Sequence, residues 1–232
     1  MRWMTSVAAA GRLPRNGTWA RAFWLAPPAL AALLSGCTTA SRATADSIMQ
    51  LVHRQPSYTT QQVLRTPYPQ ADVQTPDIRG LVVLGYVDDG QQVWMAGKHA
   101  VLRLSATGVL VSLSKQDAQY ATTVEDEALF ADLRSTADGA SVVRHYDRTP
   151  GYAMGVEVVG TIRAKGEDTV TLLDKRRTLL RFDEQLSGGD MRATNSYWVD
   201  PADGFIWKSR QFLAPGYPVD LVHLKPYRPA GR

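Results

Sequence analysis

Residues 81–96, LVVLGYVDDGQQVWMA, decide the fold. Two runs rich in Val, Leu, Tyr and Trp flank Asp88-Asp89-Gly90, and an Asp-Gly pair between such runs is a strong short-range signal for a β-hairpin. Residues 81–87 are apolar on both faces of the expected strand. Such a strand indicates two layers or a closed, barrel-like sheet, because a single open sheet would leave one apolar face in water.

The same pattern continues along the chain. Further strands are predicted at residues 100–105, 109–113, 141–146, 153–163, 169–173, 178–182, 195–199, 205–212 and 218–224. Residues 116–139 are expected to hold a loop and a helical turn, and residues 186–190 a glycine-rich loop. Turn signals recur about every 8–12 residues, which is typical of sandwiches and barrels. The predicted fold class is all-β: an antiparallel meander that forms a large curved sheet or a barrel-like two-layer domain.

The segment before these strands is less regular. Residues 45–54 place Ile48, Leu51 and Val52 at spacings of three and four, which predicts a short N-terminal helix that ends before Pro56. Residues 56–79 carry four prolines, so they are expected to be extended and irregular, with at most one edge strand. A single β-rich domain is predicted over residues 56–232.

Residues 1–36 have the features of a secretion signal. A basic region precedes residues 23–34, FWLAPPALAALL, an apolar run of twelve residues. This run is shorter than the roughly 20 apolar residues that span a bilayer. It precedes residues 34–37, Leu-Ser-Gly-Cys, which resemble the lipobox of bacterial lipoproteins.

Lipid modification is therefore predicted at Cys37, and residues 37–55 are expected to form a lipidated tether with the short helix. The alternative is a buried or free cysteine that happens to follow an apolar run. Acyl chains on Cys37 would make the lipid bilayer a partner of the chain. Thr38 at the next position favours the outer membrane.

The excess of basic residues belongs to the signal. The chain has 26 Lys+Arg and 22 Asp+Glu, and residues 1–37 hold four of the arginines and no acid. The remainder therefore carries 22 basic and 22 acidic side chains, and this balance argues against nucleic acid as a partner. Cys37 is the single cysteine, so no thiol remains for a disulfide or a thiolate metal site. No metal site and no cofactor is predicted.

Aromatic side chains in the predicted hairpins give the remaining functional signal. Large aromatics mostly fill cores, and Trp198 and Trp207 are placed to pair across one hairpin. The functional alternative is a carbohydrate-binding surface, in which indoles contact the C–H faces of sugar rings and polar side chains bind the hydroxyls. The candidate residues for binding a glycan or a partner are Gln92, Trp94, Asn195, Tyr197, Trp198, Asp200, Trp207, Lys208 and Gln211.

No nucleophile motif and no metal-ligand spacing of the histidines points to catalysis. Paired carboxylates in a groove would be the minimum for a glycan-cleaving enzyme, and Asp200 with Asp203 or Glu184 are the weak candidates. Residues 125–127, Glu-Asp-Glu, are most simply a solvated charge run.

Three stretches carry a resemblance to a known family: residues 80–96, residues 195–211 (NSYWVDPADGFIWKSRQ) and residues 223–227 (HLKPY). Together they resemble the YjbF/GfcB family, the group 4 capsule polysaccharide lipoproteins, from about residue 46 to residue 227. Residues 105–115 depart mildly, since family members tend to carry an Asn-Gly-Arg-like turn there.

The resemblance implies a largely antiparallel β fold and a role in capsule or exopolysaccharide production and export, and it supplies no catalytic residues. The resulting hypothesis is a non-enzymatic, outer-membrane-anchored accessory protein that faces the periplasm and binds or scaffolds. Its partners would be the polysaccharide or proteins of the export machinery. The alternatives are an enzyme that modifies the same polysaccharide, a hydrolase or lyase, and a purely structural lipoprotein that partners an outer-membrane protein.

Overall fold

Twelve antiparallel strands close into a barrel in the computed structural model, which describes residues 58–98, 100–149 and 151–228. Each strand pairs with its neighbours in the chain, and β1 pairs with β12 to complete the ring. The strands are β1 (Gln70–Gln74), β2 (Arg79–Asp88), β3 (Gln91–Ala96), β4 (Ala100–Leu104), β5 (Leu110–Lys115), β6 (Gln119–Val124), β7 (Ser141–Arg148), β8 (Ala153–Leu172), β9 (Lys175–Gly188), β10 (Met191–Val199), β11 (Ile206–Ala214) and β12 (Tyr217–Lys225). The all-β, barrel-like prediction is confirmed.

A short helix, α1 (Thr60–Arg65), precedes β1. Its first turn is closed by a capping box: the Thr59 hydroxyl accepts from the Gln62 backbone N–H, and the Gln62 side chain accepts from the Thr59 N–H. The prediction that residues 56–79 are extended is therefore wrong for α1. It is also wrong in expecting an edge strand, because β1 has a partner on each side. The helix predicted at residues 45–54 lies outside the described residues, and none of the described helices is long and apolar enough to cross a membrane.

The connection between β6 and β7 packs into the core of the barrel. It contains two 3₁₀ turns, Glu127–Ala131 and Leu133–Ser135, which bury Phe130 and Leu133 in the core. The helical turn expected within residues 116–139 is confirmed. The loop expected there is also present around residues 136–140, but the prediction missed β6, whose Tyr120 and Thr122 face inward.

The β8–β9 hairpin is much longer than the sequence pattern predicted. The two strands expected at residues 153–163 and 169–173 are one strand of 20 residues, with a register shift between Ala164 and Gly166. The glycine-rich loop predicted at residues 186–190 is also largely strand, since β9 runs to Gly188. The far end of this hairpin packs Val170, Leu172 and Leu179 on Trp198 and Trp207.

Side chains alternate between the inside and the outside of the barrel along each strand. Two clusters of inward-facing residues fill the interior. One includes Trp94, Leu102 and Leu221, and the other includes Phe130, Ile162 and Tyr197. The second cluster also borders a buried charge, because the Arg144 guanidinium carbon lies 5.2 Å from the centre of the Phe130 ring.

Candidate functional site

The structure separates the nine candidate binding residues into three places. Asn195 and Tyr197 lie deep inside the barrel, where each is 0% exposed. Trp198, Asp200, Trp207 and Lys208 lie beneath or beside the β8–β9 hairpin. Gln92, Trp94 and Gln211 lie at or next to a cavity at one end of the barrel. These nine residues therefore do not share one surface of the barrel.

A buried ion pair occupies the barrel interior. The Arg144 Nε and Nη2 atoms of β7 donate to Glu184 Oε1 and Oε2 of β9 at 2.6 and 2.8 Å, and the side chains are 1% and 0% exposed. Tyr197 Oη and Asn195 Nδ2 of β10 donate to Glu184 Oε2 at 2.8 and 2.9 Å. The carboxylate thus accepts four hydrogen bonds from three side chains, which offsets the cost of burying its charge.

Burial and neighbouring charge fix the protonation of Arg144 and Tyr197 in this network. Burial opposes the charge on the guanidinium, but the neighbouring Glu184 carboxylate raises the pKa of Arg144 above its ordinary value. Burial and then the Glu184 charge raise the pKa of the Tyr197 phenol well above its ordinary value, so this phenol stays a neutral donor.

Gly160 of β8 leaves the room that Glu184 occupies. A Cβ atom at Gly160 would lie 2.8 Å from Glu184 Cγ and 2.9 Å from Cδ. The position opposite the carboxylate therefore has no space for a side chain. A network that is buried, packed and partnered to this degree is a structural feature of the core.

Trp198 lies on the outer side of β10 and is covered by the β8–β9 hairpin. Its Nε1 donates to Asp168 Oδ2 at 2.7 Å. The Lys208 ammonium lies 4.2 Å from the centre of the Trp198 ring and the Arg181 guanidinium 5.3 Å from it. Since Trp198 is 8% exposed, its faces are occupied by protein and a sugar could reach them only if the hairpin opened.

Trp207 is held in a similar way at the start of β11. Its Nε1 donates to Asp200 Oδ2 at 2.9 Å, and the Arg177 guanidinium lies 4.1 Å from the ring centre. Phe205 packs edge-on against it, with 5.2 Å between ring centres. At 7% exposure Trp207 fills a packing position, as large aromatics usually do.

The carboxylates considered for catalysis are engaged in structural contacts. Asp200 accepts from the Ala202 N–H at 3.0 Å as well as from Trp207, and Asp203 accepts from the Phe205 N–H at 3.0 Å. Asp203 also forms an ion pair with Arg228. Burial raises the pKa of Asp203, but hydrogen bonds from Phe205 and Arg228 outweigh it and lower that pKa. A general acid needs a raised pKa, so the lowered pKa argues against Asp203 in that role. For Asp200 and Glu184 the hydrogen bonds themselves favour structural roles.

A cavity of about 360 Å³ lies at the end of the barrel where β12 finishes. The β2–β3, β4–β5 and β10–β11 turns meet there, and they contribute Gly90, Gly108 and Gly204 to its lining. The residues after β12 add Tyr227 and Arg228. The volume lies within the range of about 300–1,000 Å³ that is typical of small-ligand pockets.

Two buried polar side chains of this cavity each have one atom without a hydrogen-bond partner among the described residues. Gln92 and His223 line it and are 8% and 3% exposed. Gln92 Nε2 donates to the Ser105 carbonyl at 3.5 Å, but Gln92 Oε1 and His223 Nδ1 have no hydrogen-bond partner among the described residues. Trp94 Nε1 also lacks one, and the Trp94 ring centre lies 5.5 Å from that of His223. Burial, and secondarily the charge of Arg228, lower the pKa of His223 to about 4, so its imidazole is neutral near pH 7.

Gln211 braces the edge of the same cavity. Its Oε1 accepts from the Leu110 N–H at 3.0 Å, and its Nε2 donates to Ser209 Oγ at 3.0 Å and to the Gly108 carbonyl at 3.4 Å. Both of its polar atoms are used within the protein, so Gln211 positions the β4–β5 turn. Gln92 is among the residues predicted from the sequence, whereas His223 is not, and the only sequence signal for His223 is its place in the terminal stretch HLKPY.

Together the fold and the site define a closed antiparallel barrel domain with a partnered polar interior and an end cavity. The family model described as "Group 4 capsule polysaccharide lipoprotein gfcB, YjbF" matches residues 29–224, and the chain belongs to this family. The resemblance found in the sequence is thereby confirmed. A family of lipoproteins implies association with the cell envelope.

Two curated relatives come from Escherichia coli (strain K12). The uncharacterized lipoprotein YjbF is 27% identical over 208 residues, which cover 83% of this chain and 93% of the relative. The uncharacterized lipoprotein GfcB is 23% identical over 203 residues, which cover 84% of this chain and 95% of the relative. The crystal structure of the hypothetical lipoprotein YmcC from Escherichia coli (K12) matches with a TM-score of 0.60 at 22% identity, over 82% of this chain and 97% of that one. This last likeness shows a shared fold.

Proposed function

We propose that this chain is an outer-membrane-anchored, periplasm-facing lipoprotein that acts as a non-catalytic accessory factor in the production or export of capsule or another exopolysaccharide. The observation that carries the proposal is the match to a capsule polysaccharide lipoprotein family over residues 29–224. Acyl chains on Cys37 would supply the anchor, because two or three chains hold a protein stably to a bilayer. Thr38 favours the outer membrane as the destination.

The geometry supports binding or scaffolding rather than catalysis. The carboxylates Asp200, Asp203 and Glu184 are each engaged by neighbouring donors. The end cavity, in contrast, is lined by Gln92 and His223, and each has one buried polar atom without a partner among the described residues. Spare hydrogen-bonding capacity beside a cavity favours recognition of a ligand over its chemical conversion.

Deletion of the gene in its native host tests this role. We expect less polysaccharide at the cell surface, measured by quantitative sugar analysis of the washed cell-surface fraction, and recovery when the wild-type gene is supplied. A Cys37→Ser variant should fail to restore the polysaccharide and should leave the outer-membrane fraction, whereas a Thr39→Ser control should behave as wild type. A deletion strain with undiminished surface polysaccharide would contradict the proposal.

A separate assay addresses the enzymatic alternative. The purified full-length chain is incubated with the isolated polysaccharide, and chain length and new reducing or unsaturated ends are followed over time. No change is expected. Time-dependent cleavage by the wild-type chain that is lost in an Asp203→Asn variant would replace the accessory role with a hydrolase or lyase.

A further inference from the structure

We propose that the cavity at the β12 end of the barrel binds one uncharged, hydroxyl-rich sugar ring, with Gln92 and His223 as the hydrogen-bonding groups at its base. This inference rests on the proposed function for the identity of the polymer, and it adds the site and the chemical class of the ligand. The cavity volume of about 360 Å³ accommodates a small ligand of this kind.

The unpartnered atoms indicate that the site is built to receive hydrogen bonds. Buried polar groups in folded proteins are nearly always paired, and an unpaired one is costly. Gln92 and His223 both line one cavity, and Gln92 Oε1 and His223 Nδ1, which have almost no accessible surface, lack a partner among the described residues. A small rotation of each side chain would turn these atoms toward a molecule bound in the cavity, which would then satisfy both.

The chemistry of these atoms favours hydroxyl groups. An amide oxygen only accepts, while a ring nitrogen of neutral imidazole either donates or accepts according to its tautomer. A hydroxyl can serve both, because it carries one donor and two acceptor sites. A sugar ring presents several hydroxyls in fixed positions and is therefore a natural ligand for such a pair.

The charge of the lining favours an uncharged ring. Asp203 and Arg228 are the acidic and basic residues of the described lining, and they pair with each other. His223 is neutral near pH 7. Among the described residues the lining therefore carries balanced charge, which does not favour a carboxylate or an ammonium group on the ligand.

Aromatic side chains supply the apolar wall that a sugar ring also needs. Phe205 and Tyr227 are half-buried and line the cavity. Phe205 lies 5.2 Å from the His223 ring, measured between centres, and the Arg228 guanidinium lies 4.4 Å from the Phe205 ring centre. Arg228 therefore covers one face of Phe205, and the remaining surface of that ring, with Tyr227, is the apolar wall beside the hydrogen-bonding base. C–H faces and hydroxyl edges of one ring would thus meet matching groups.

The test uses the full-length chain in detergent micelles, titrated separately with glucose, galactose and N-acetylglucosamine and, as a charged comparison, with glucuronate. Affinity is measured by calorimetry, and NMR follows the Trp94 indole and the His223 imidazole. We expect saturable binding of at least one neutral sugar with shifts at both side chains, and binding of glucuronate about ten-fold weaker or more.

Gln92→Met removes the amide at similar length and should weaken sugar binding about ten-fold or more. Gln91→Met is the matched control, because alternation along β3 places Gln91 on the opposite face, and it should bind as wild type. If Gln92→Met does not fold, the wild-type NMR titration still decides. The inference is overturned if none of the neutral sugars perturbs Trp94 and His223, if Gln92→Met binds as well as wild type, or if the cavity holds water only. In any of these cases a deletion strain that still lacks surface polysaccharide would leave the proposed function standing.

Discussion

Replacing Arg144 with methionine is expected to destabilise the barrel by about 3–5 kcal/mol, the usual cost of breaking a buried ion pair by removing one partner. The substitution removes the two hydrogen bonds of 2.6 and 2.8 Å to Glu184. It leaves a carboxylate that is 0% exposed with Tyr197 and Asn195 as donors but without a cation. The loss of packing on Phe130, whose ring centre lies 5.2 Å from the guanidinium carbon, acts in the same direction.

Urea unfolding followed by tryptophan fluorescence and circular dichroism measures this loss. With a urea dependence of about 2 kcal/mol per molar, a loss of about 4 kcal/mol lowers the midpoint by about 2 M. The double variant Arg144→Met/Glu184→Leu removes both charges, so it should lose much less than the sum of its two single variants.

Arg103→Met is the matched control for the loss of an arginine. Arg103 pairs with Asp88 at 3.4 Å on the outside, with side chains 34% and 59% exposed, and breaking such a pair costs less than about 1 kcal/mol. If Arg144→Met also cost less than about 1 kcal/mol, or if the double variant lost as much as the sum of the singles, the reasoning about the buried pair would be wrong.

Three further perturbations test other parts of the barrel. Burial lowers the pKa of His223 from 6.5 to about 4, so between these pH values the unfolded chain binds a proton that the folded chain does not. The free energy of unfolding should therefore fall by up to about 3 kcal/mol as the pH drops from about 6.5 to 4. Urea unfolding at both pH values should show this fall for wild type and a smaller one for His223→Phe. Gly160→Ala should cost about 1–3 kcal/mol, because its methyl group would crowd Glu184; an unchanged melting temperature would contradict that packing. Leu179→Ala should cost about 2–4 kcal/mol and shift tryptophan emission to the red, since Leu179 is 1% exposed over Trp198 and Trp207; unaltered emission would speak against the hairpin as their cover.

The tight hairpins could be predicted from the sequence because their signals are local. Asp89 and Gly90 both have positive φ angles, 47° and 76°, as a short turn between twisted strands requires, and Asp-Gly is a favourable pair for that conformation. The strands on either side, β2 and β3, therefore fall close to their predicted places. The β10–β11 hairpin was predictable for the same kind of reason, since Gly204 in its turn has a φ of 79°.

β6 was not predicted and β8 was predicted as two strands, because polar residues interrupt the apolar pattern of both. β6, QYATTV, buries Tyr120 and Thr122, but four of its six side chains bear a hydroxyl or an amide, so the strand does not form an apolar run. Residues 164–168, AKGED, look like a turn by composition. They instead continue β8 through a bulge, where Gly166 has a φ of 84° and the strand shifts register. Charged side chains are tolerated there because residues 163–167 are exposed to solvent.

The buried network could not be predicted, because its members meet only through strand pairing. Alternation places Asn195 and Tyr197 on one face of β10, and the β9–β10 register sets Asn195 opposite Glu184. Arg144 is 40 residues away from Glu184 in sequence and reaches it from β7 across β8. No local pattern reports such a contact. The sequence therefore indicated Asn195 and Tyr197 as candidates for a binding surface, whereas both lie inside the barrel.

The end cavity depends in the same way on closure of the sheet. In an open meander β3 and β12 would stand nine strands apart, with Gln92 near one edge and His223 at the other. The pairing of β1 with β12 joins those edges, so that only β1 and β2 lie between β12 and β3 in the closed sheet. Trp94 and His223 then come within 5.5 Å between ring centres, and the unpartnered atoms of Gln92 and His223 line one cavity. The end cavity is thus created by the one strand pairing that joins the two ends of the meander. A variant that weakens this pairing should lose the proposed sugar binding before the individual hairpins lose their structure.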